Sequence, residues 1–254
     1  MEEPNANGVE VTIAIPSYNQ GEFIGRALKS VFSQDVVSEI CIADGGSTDN
    51  SVEIISRNSS LLHWWQSKAD SGQSNAINIA IAKGDAPYVC WLNSDDMFSQ
   101  GALRKMVDFL EENPECPMVY GKSWLIDSND NKLKEYKTHH FSSTRLAKRC
   151  FISQPATLIR RSVWDGLGGL NESFQMSMDF DLWWRVYKQF GPLGYLSEFV
   201  AFTRIHGETK TSTRRKEHYT EAMALIKHHY GSVPLIWYFK WPWSVWYKSF
   251  KGTS

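Results

Sequence analysis

What this 254-residue chain lacks narrows its function before any motif is found. It has no CxxC pair: Cys41, Cys90, Cys116 and Cys150 stand apart, which excludes a zinc ribbon and a disulfide framework. Cys41 and Cys90 fall within apolar runs, where a small buried thiol in a reducing cytosol is expected. There is no G-x-G-x-x-G after the first strand and no G-x-x-x-x-G-K-[ST], so the two common backbone cradles for phosphate are missing. There is almost no net charge: 27 Lys and Arg against 28 Asp and Glu leave −1, which argues against a nucleic-acid binder. No run reaches the ~18 apolar residues of a membrane span. The first eight residues are acidic and polar, unlike a signal peptide.

What is present is strand–helix alternation, four times over. Val9–Ile15 is a β-branched run stopping at Pro16, followed by the loop Ser17–Gly21 and a helix over Glu22–Ser33. Ile40–Ala43 is a second buried strand running into Asp44-Gly45-Gly46-Ser47-Thr48-Asp49. Its glycines let a ligand approach the backbone, and Ser47 or Thr48 is placed to cap a helix over Asn50–Arg57. Leu61–Trp65 is the third strand, Lys68–Ser74 its loop and Asn75–Ala82 its helix. Tyr88–Leu92 is the fourth, ending in Asn93-Ser94-Asp95-Asp96 before a helix over Gly101–Glu112. This pattern predicts an α/β fold with a mostly parallel central sheet flanked by helices and right-handed crossovers. The four polar loops then converge on one sheet edge, the usual ligand crevice. Asp95 and Asp96 are hard oxygen donors that suit Mg²⁺ or Mn²⁺ carried on a phosphate. Without a glycine cradle, the diphosphate of a bound nucleotide needs that metal.

The second half loses the alternation. Met118–Leu125 and Lys132–Tyr136 read as a hairpin, Ala156–Ile159 as a short strand and Ser162–Leu167 as a short helix. Met178–Tyr187 is a largely apolar helix opened by Asp179 and Asp181, which two-residue spacing points apart. Phe199–Thr203 is a strand leading into Arg204-Ile205-His206, and a basic loop, Thr209–Lys216, precedes a helix reaching Tyr230.

In these segments the chain resembles a family 2 glycosyltransferase of GT-A (Rossmann-like) fold, of the inverting, bacterial surface-polysaccharide type. The likeness is carried by Ile13–Asn19, Ala43–Asp49, Asp70–Asn78, Trp91–Asp96, Gln154–Thr157, Met178–Arg185 and Arg204–His206, in family order, and covers roughly Val9 to Thr213. It implies a nucleotide-sugar-binding half (1–117), an acceptor and catalytic half of the same domain (118–213) and a C-terminal helical, aromatic-rich extension (214–254). By resemblance Asp44 accepts a hydrogen bond from the base, Pro16, Tyr18 and Asn19 flank base and ribose, and Asp70 and Gln73 extend those contacts. Asn93-Ser94-Asp95 occupies the family's D-x-D position, with Asn93 in place of the first aspartate. The metal, Mn²⁺ or Mg²⁺, therefore falls to Asp95, with His206 as a second ligand and Asp96 as a neighbour that contacts the sugar. Gln154 and Trp184 fall near the acceptor, and Lys210 and Arg214 belong to a loop able to fold over the diphosphate.

The implied reaction is transfer of a sugar from a nucleoside diphosphate to a hydroxyl of a glycan or lipid-linked saccharide, with inversion. A base must take the hydroxyl proton, and Asp179 stands where this family carries it, with Asp181 the competitor. A nucleotidyltransferase of sugar phosphates is the enzymatic alternative; it needs a Gly-rich basic loop that Pro16–Gly21 does not supply. A catalytically degenerate sugar-nucleotide-binding protein is the other alternative, with Asn93 as its evidence. Finally, Val233–Phe250 mixes Trp and Tyr with Lys, the composition of a membrane interface. The chain from Arg204 onward is basic, with nine Lys and Arg against three Glu. The expectation is peripheral contact with the inner face of the cell membrane; the alternative is a tail packed on its own domain or a homodimer seam.

Overall fold

The computed structural model describes residues 8–207 and 213–241. In chain order the elements are β1 (Val11–Ser17), α1 (Ile24–Phe32), β2 (Ser38–Asp44), α2 (Ser51–Arg57), β3 (Trp64–Ser67), α3 (Gln73–Ile81) and β4 (Tyr88–Trp91). Then come β5 (Met97–Phe98), α4 (Ala102–Glu112), β6 (Met118–Ile126), β7 (Lys132–Glu135), α5 (Ser143–Lys148), β8 (Thr157–Arg160) and α6 (Arg161–Leu167). The chain continues through α7 (Met178–Phe190), β9 (Gly194–Arg204), α8 (Arg215–Tyr230) and α9 (Leu235–Trp241). The strands form one sheet in the order β3-β2-β1-β4-β8-β6-β9-β5, with β7 hydrogen-bonded to β6.

β3, β2, β1 and β4 are parallel, as the alternation of the first half requires. The second half makes the sheet mixed: β8 runs antiparallel to both β4 and β6, while β6 and β9 are parallel to each other. The inner strands read as unbroken apolar runs because both of their faces are covered. Val11, Ile13 and Ile15 of β1 pack with Ile24, Leu28 and Val31 of α1 and with Leu103, Met106 and Leu110 of α4. Ala14 and Trp91 face the other way, onto Ala76 and Ile77 of α3, Trp164 of α6 and Trp183 of α7. Trp91 lies between the Trp164 and Trp183 rings, at 6.1 and 5.9 Å. Much of the tryptophan content is therefore core.

Three boundaries differ from the sequence reading for local reasons. β1 runs through Pro16 to Ser17 because Ala14 carbonyl already accepts from Leu92, where β4 has ended. The missing proline N–H points to that vacated side, so no ladder bond is lost. The third strand starts later than expected, at Trp64, because Ser59–Leu61 forms a turn of 3-10 helix. Neither Ser47 nor Thr48 caps α2; Asp49 Oδ1 accepts from Ser51 N at 2.9 Å instead. All four cysteines are free thiols, as expected. Among the described residues no helix is long and apolar enough to cross a membrane. Of the aromatic tail, α9 is described and the residues after Trp241 lie outside the described residues.

Candidate active site

The polar loops after β1, β2, β3 and β4 do converge, and they open into a cleft of about 600 Å³. Pro16, Tyr18, Gly45, Asp70, Gln73, Asn93, Ser94 and Asp95 line it from the parallel half; Gln154, Met178, Asp179 and His206 line it from the other. The first two loops are zipped together. Asn19 N donates to Ser47 Oγ at 2.8 Å, Thr48 N to Asn19 Oδ1 at 2.9 Å, and Gly21 N to Asp49 Oδ2 at 2.9 Å. Gly21 leaves room for the Asn50 side chain, whose Oδ1 would lie 1.7 Å from a Cβ there. Gly45 lets bare backbone line the cleft; a Cβ on it would stand 3.0 Å from Asp70 Oδ2.

The loop after β4 holds the paired carboxylates, and they part company. Asp95 Oδ2 lies 3.0 Å from His206 Nε2, and both side chains face the cleft. Asp96 is buried behind it, with Oδ1 accepting from Arg204 N at 2.8 Å and Oδ2 from Asn93 Nδ2 at 3.2 Å. Burial first, and then the charge of Asp95, hold the Asp96 carboxyl well above the usual carboxylate range. Arg204, fully buried, clamps this loop: Nε donates to Asp95 O at 2.8 Å and Nη1 to Asp127 O at 2.7 Å, and Nη1 pairs with Asp130 at 2.6 Å. Asn93 fits its position. Gln73 Nε2 donates to its Oδ1 at 2.7 Å, while its Nδ2 faces two acceptors, Asp96 Oδ2 and Gln154 Oε1, each at 3.2 Å. An aspartate there would present a third acceptor to the other two.

Asp95 and His206 are the donors placed to hold a metal; among the described residues no three His, Cys, Asp or Glu side chains converge. A small hard cation keeps water and substrate phosphate oxygens beside one or two carboxylates, so a two-residue protein set fits Mg²⁺ or Mn²⁺.

On the opposite wall, α7 presents Asp179 to the cleft and turns Asp181 away. Burial raises the Asp179 carboxyl above its ordinary value, and the Phe180 amide and the nearby His218 only partly offset this. Asp181 sits between Arg185 Nε, at 2.6 Å from Oδ2, and His229 Nε2, at 2.9 Å from Oδ1. Burial pulls it upward too, but those partners win and hold it below the usual range. The start of α7 is fixed from a distance. Glu221 of α8 accepts from the backbone N–H groups of Gln175, Met176 and Ser177 at 3.1, 2.8 and 3.0 Å, satisfying donors that a helix start leaves open.

Several expected site residues are elsewhere. Asp44 is only 1 % exposed, and its carboxylate accepts from Gly46 N, Ser47 N, Ser47 Oγ and Ser67 Oγ. Three of these bonds fall on Oδ2 and one on Oδ1, so in this structure the carboxylate braces the Gly45–Ser47 loop beneath the cleft. Asn19 ties two loops together and does not line the cleft. Asp96 is buried out of reach of a sugar. Trp184 is 1 % exposed and stacks on His229 in the core, so it does not meet an acceptor. Arg214 pairs with Glu217 at the start of α8, and Lys210 lies outside the described residues. Gly45 lines the cleft as its place after Asp44 led one to expect, but the sequence reading does not single out Met178, Arg204 or Glu221. Arg204 falls inside a family segment, but nothing local marks its reach to Asp95, 109 residues away.

Comparison with known proteins agrees with this arrangement. Solved structures with the same architecture include S. aureus TarS 1-349 in complex with UDP-GlcNAc, with a TM-score of 0.71 and 17% identity over 87% of this chain and 66% of that one. Another is the mannosyltransferase PcManGT from Pyrobaculum calidifontis in complex with GDP-Man and Mn²⁺, with a TM-score of 0.67 and 14% identity over 94% of this chain and 73% of that one. At such identities the likeness is one of fold, and the fold is GT-A. Among sequences, the chain is 25% identical over 218 residues to a chondroitin synthase of Escherichia coli, covering 82% of this chain and 31% of that protein. It is 25% identical over 229 residues to a hyaluronan synthase of Pasteurella multocida, covering 86% of this chain and 23% of that protein. The chain thus spans under a third of the length of these curated relatives. Residues 12–168 match a single family from β1 through α6, a stretch that takes in all four converging loops, and on that match the chain belongs to glycosyl transferase family 2.

Proposed function

We propose that the cleft binds a nucleoside-diphosphate sugar and transfers the sugar, with inversion, to a hydroxyl of a glycan or lipid-linked saccharide in cell-surface polysaccharide synthesis. The observation that carries this reading is the pairing of two walls: Asp95 with His206 on one and a raised-pKa Asp179 on the other. Pro16, Tyr18 and Asp70 take the base and ribose, with the Gly45 backbone beside them. Asn93 and Ser94 lie between the nucleoside and the diphosphate. A divalent cation held by Asp95 and His206 supplies positive charge against the departing diphosphate. That neighbours in fold carry UDP-GlcNAc, or GDP-Man with Mn²⁺, supports the donor class and the metal.

Asp179 accepts the proton of the acceptor hydroxyl as its oxygen attacks the anomeric carbon. The carbon–oxygen bond to the diphosphate breaks, and its electron pair leaves with the nucleotide. Attack opposite the leaving group in a single displacement inverts the centre. Gln154, held by Trp91 O at 2.8 Å and by Asn93, lines the cleft where donor and acceptor walls meet. The reaction belongs on the cytoplasmic side, at the inner face of the cell membrane.

The test is release of nucleotide from UDP-, GDP- and dTDP-sugars with Mn²⁺, comparing the unaltered chain with Asp95→Ala and Asp179→Asn. The reading expects release from one donor class and loss in both variants. Unchanged turnover in Asp179→Asn refutes the base assignment.

A further inference from the structure

Away from the cleft, charge and apolar area are concentrated on adjoining elements. Between Lys132 and Arg149 there are six cations, Lys132, Lys134, Lys137, Arg145, Lys148 and Arg149, against one acid, Glu135, in a chain of net charge −1. All six are exposed. Elsewhere several basic side chains find carboxylates, among them Arg26, Arg57, Arg104, Lys105 and Arg185. Among the described residues these six pair with none; Lys132 instead lies over the Trp124 and Phe202 rings, and Arg145 donates to a backbone carbonyl.

α9 sits directly on this segment. Trp237 turns inward, its Nε1 donating to Ala147 O of α5 at 2.8 Å and its ring meeting Tyr219 of α8 at 5.4 Å. Other side chains of the helix face solvent: Leu235 is 72% exposed and Phe239 80%, with Ile236 and Tyr238 also exposed. One exposed leucine is ordinary; four large apolar side chains in one short helix, pinned beside unpaired cations, are not. A second copy would set the same cations against each other across a two-fold axis. A soluble polyanion would take the cations and leave Leu235, Ile236 and Phe239 in water. An anionic bilayer takes both, headgroups for the cations and the acyl boundary for the apolar side chains.

We propose that the segment 132–149 and α9 form one docking face for an anionic lipid surface, with Arg145, Lys148 and Arg149 supplying charge and Leu235 and Phe239 inserting. It rests on the glycosyl-transfer reading only for its purpose, which is to bring the cleft to a lipid-presented acceptor. Tyr136 Oη donates to Cys150 O at 3.2 Å, tying the two ends of this segment together.

Flotation of the full chain with phosphatidylcholine vesicles, with and without phosphatidylglycerol, tests the face. Binding is expected only to the anionic vesicles and weakens as salt rises. Arg145→Glu/Lys148→Glu/Arg149→Glu lowers partitioning at least about 100-fold, at roughly fivefold per cation, and Leu235→Asp/Phe239→Asp also abolishes flotation. Both variants keep normal nucleotide release, which shows that they fold and separates this proposal from the catalytic one. Equal binding to neutral vesicles, or normal flotation of either variant, overturns it. So does absence of flotation combined with binding of dextran sulfate, which makes the partner a polyanionic glycan, or with a dimer lost in Phe239→Asp, which makes it a second copy.

Discussion

Two pairs of neighbouring aspartates, Asp95 with Asp96 after β4 and Asp179 with Asp181 in the first turn of α7, are arranged alike, but their buried members are held in opposite directions. In each pair one carboxylate faces the cleft and the other is buried behind it. Yet the buried Asp96 is held high and the buried Asp181 low. Asp96 is the more deeply packed and has the like charge of Asp95 beside it, and the cations differ as well. Arg204 gives Asp96 only its backbone N–H while its guanidinium goes to Asp95 O, Asp127 O and Asp130. Asp181 receives the head groups of Arg185 and His229 themselves. A buried carboxylate stays ionised where a cation's charged end reaches it, and otherwise desolvation decides.

The comparison can be broken in several places. Its largest expected effect is chemical: Asp179→Asn lowers sugar transfer about 10²–10⁴-fold, the usual worth of a general base, while Asp181→Asn loses activity only as far as it loses stability. Steady-state nucleotide release at a temperature where both variants are folded separates the two. Next is stability. Asp181→Asn removes the charge that Arg185 Nε and His229 share, leaving Arg185 its bonds to Leu167 O and Gly169 O, and costs about 3 kcal/mol, or a fall in Tm of roughly 6–12 °C for a domain of this size. Asp96→Asn relieves a carboxyl that burial and Asp95 hold well above the usual range but sets an amide N–H against Arg204 N or Asn93 Nδ2, so its cost is smaller, about 1–2 kcal/mol. Calorimetry on both variants sharpens the contrast, and a loss in Asp96→Asn as large as that in Asp181→Asn breaks it.

The smallest effect is in the pH dependence of stability. Burial raises the folded-state pKa of Asp179 above its unfolded value, so folding favours the protonated form. Its contribution is fully present below the unfolded pKa and is lost as pH rises through the folded one. Asp179→Asn is therefore the more stable chain at neutral pH, and its Tm advantage shrinks toward zero on acidification. An advantage that grew on acidification would reverse the assignment.

Much of this was legible because it was local. Alternating elements of ordinary length in the first half leave parallel crossovers as the economical topology, and β1–β4 follow it. Asp95, His206, Asp70 and Gln154 reach the cleft as expected because each lies in a loop at the same sheet edge. The misplacements share one cause. Asp44, Asp96 and Trp184 stand beside the right residues in sequence, but alternation along a strand or rotation around a helix turns them inward. β5 escaped for a related reason: it is two residues long and exists only by pairing with β9, which lies far along the chain.

The amino-acid sequence by itself determined the family, the parallel core and the loops that meet at the cleft, because these follow from short-range periodicity and from residues next to one another. Which carboxylate of each pair faces the cleft, and which way burial and its partners push the buried one, was decided only by the tertiary structure. Arg204 reaches Asp95 across 109 residues, Glu221 caps α7 from 44 residues away, and His229 meets Asp181 from 48. Electrostatics acts through space rather than along the chain, and in a low-dielectric interior a few ångströms between charged groups outweigh any preference written locally.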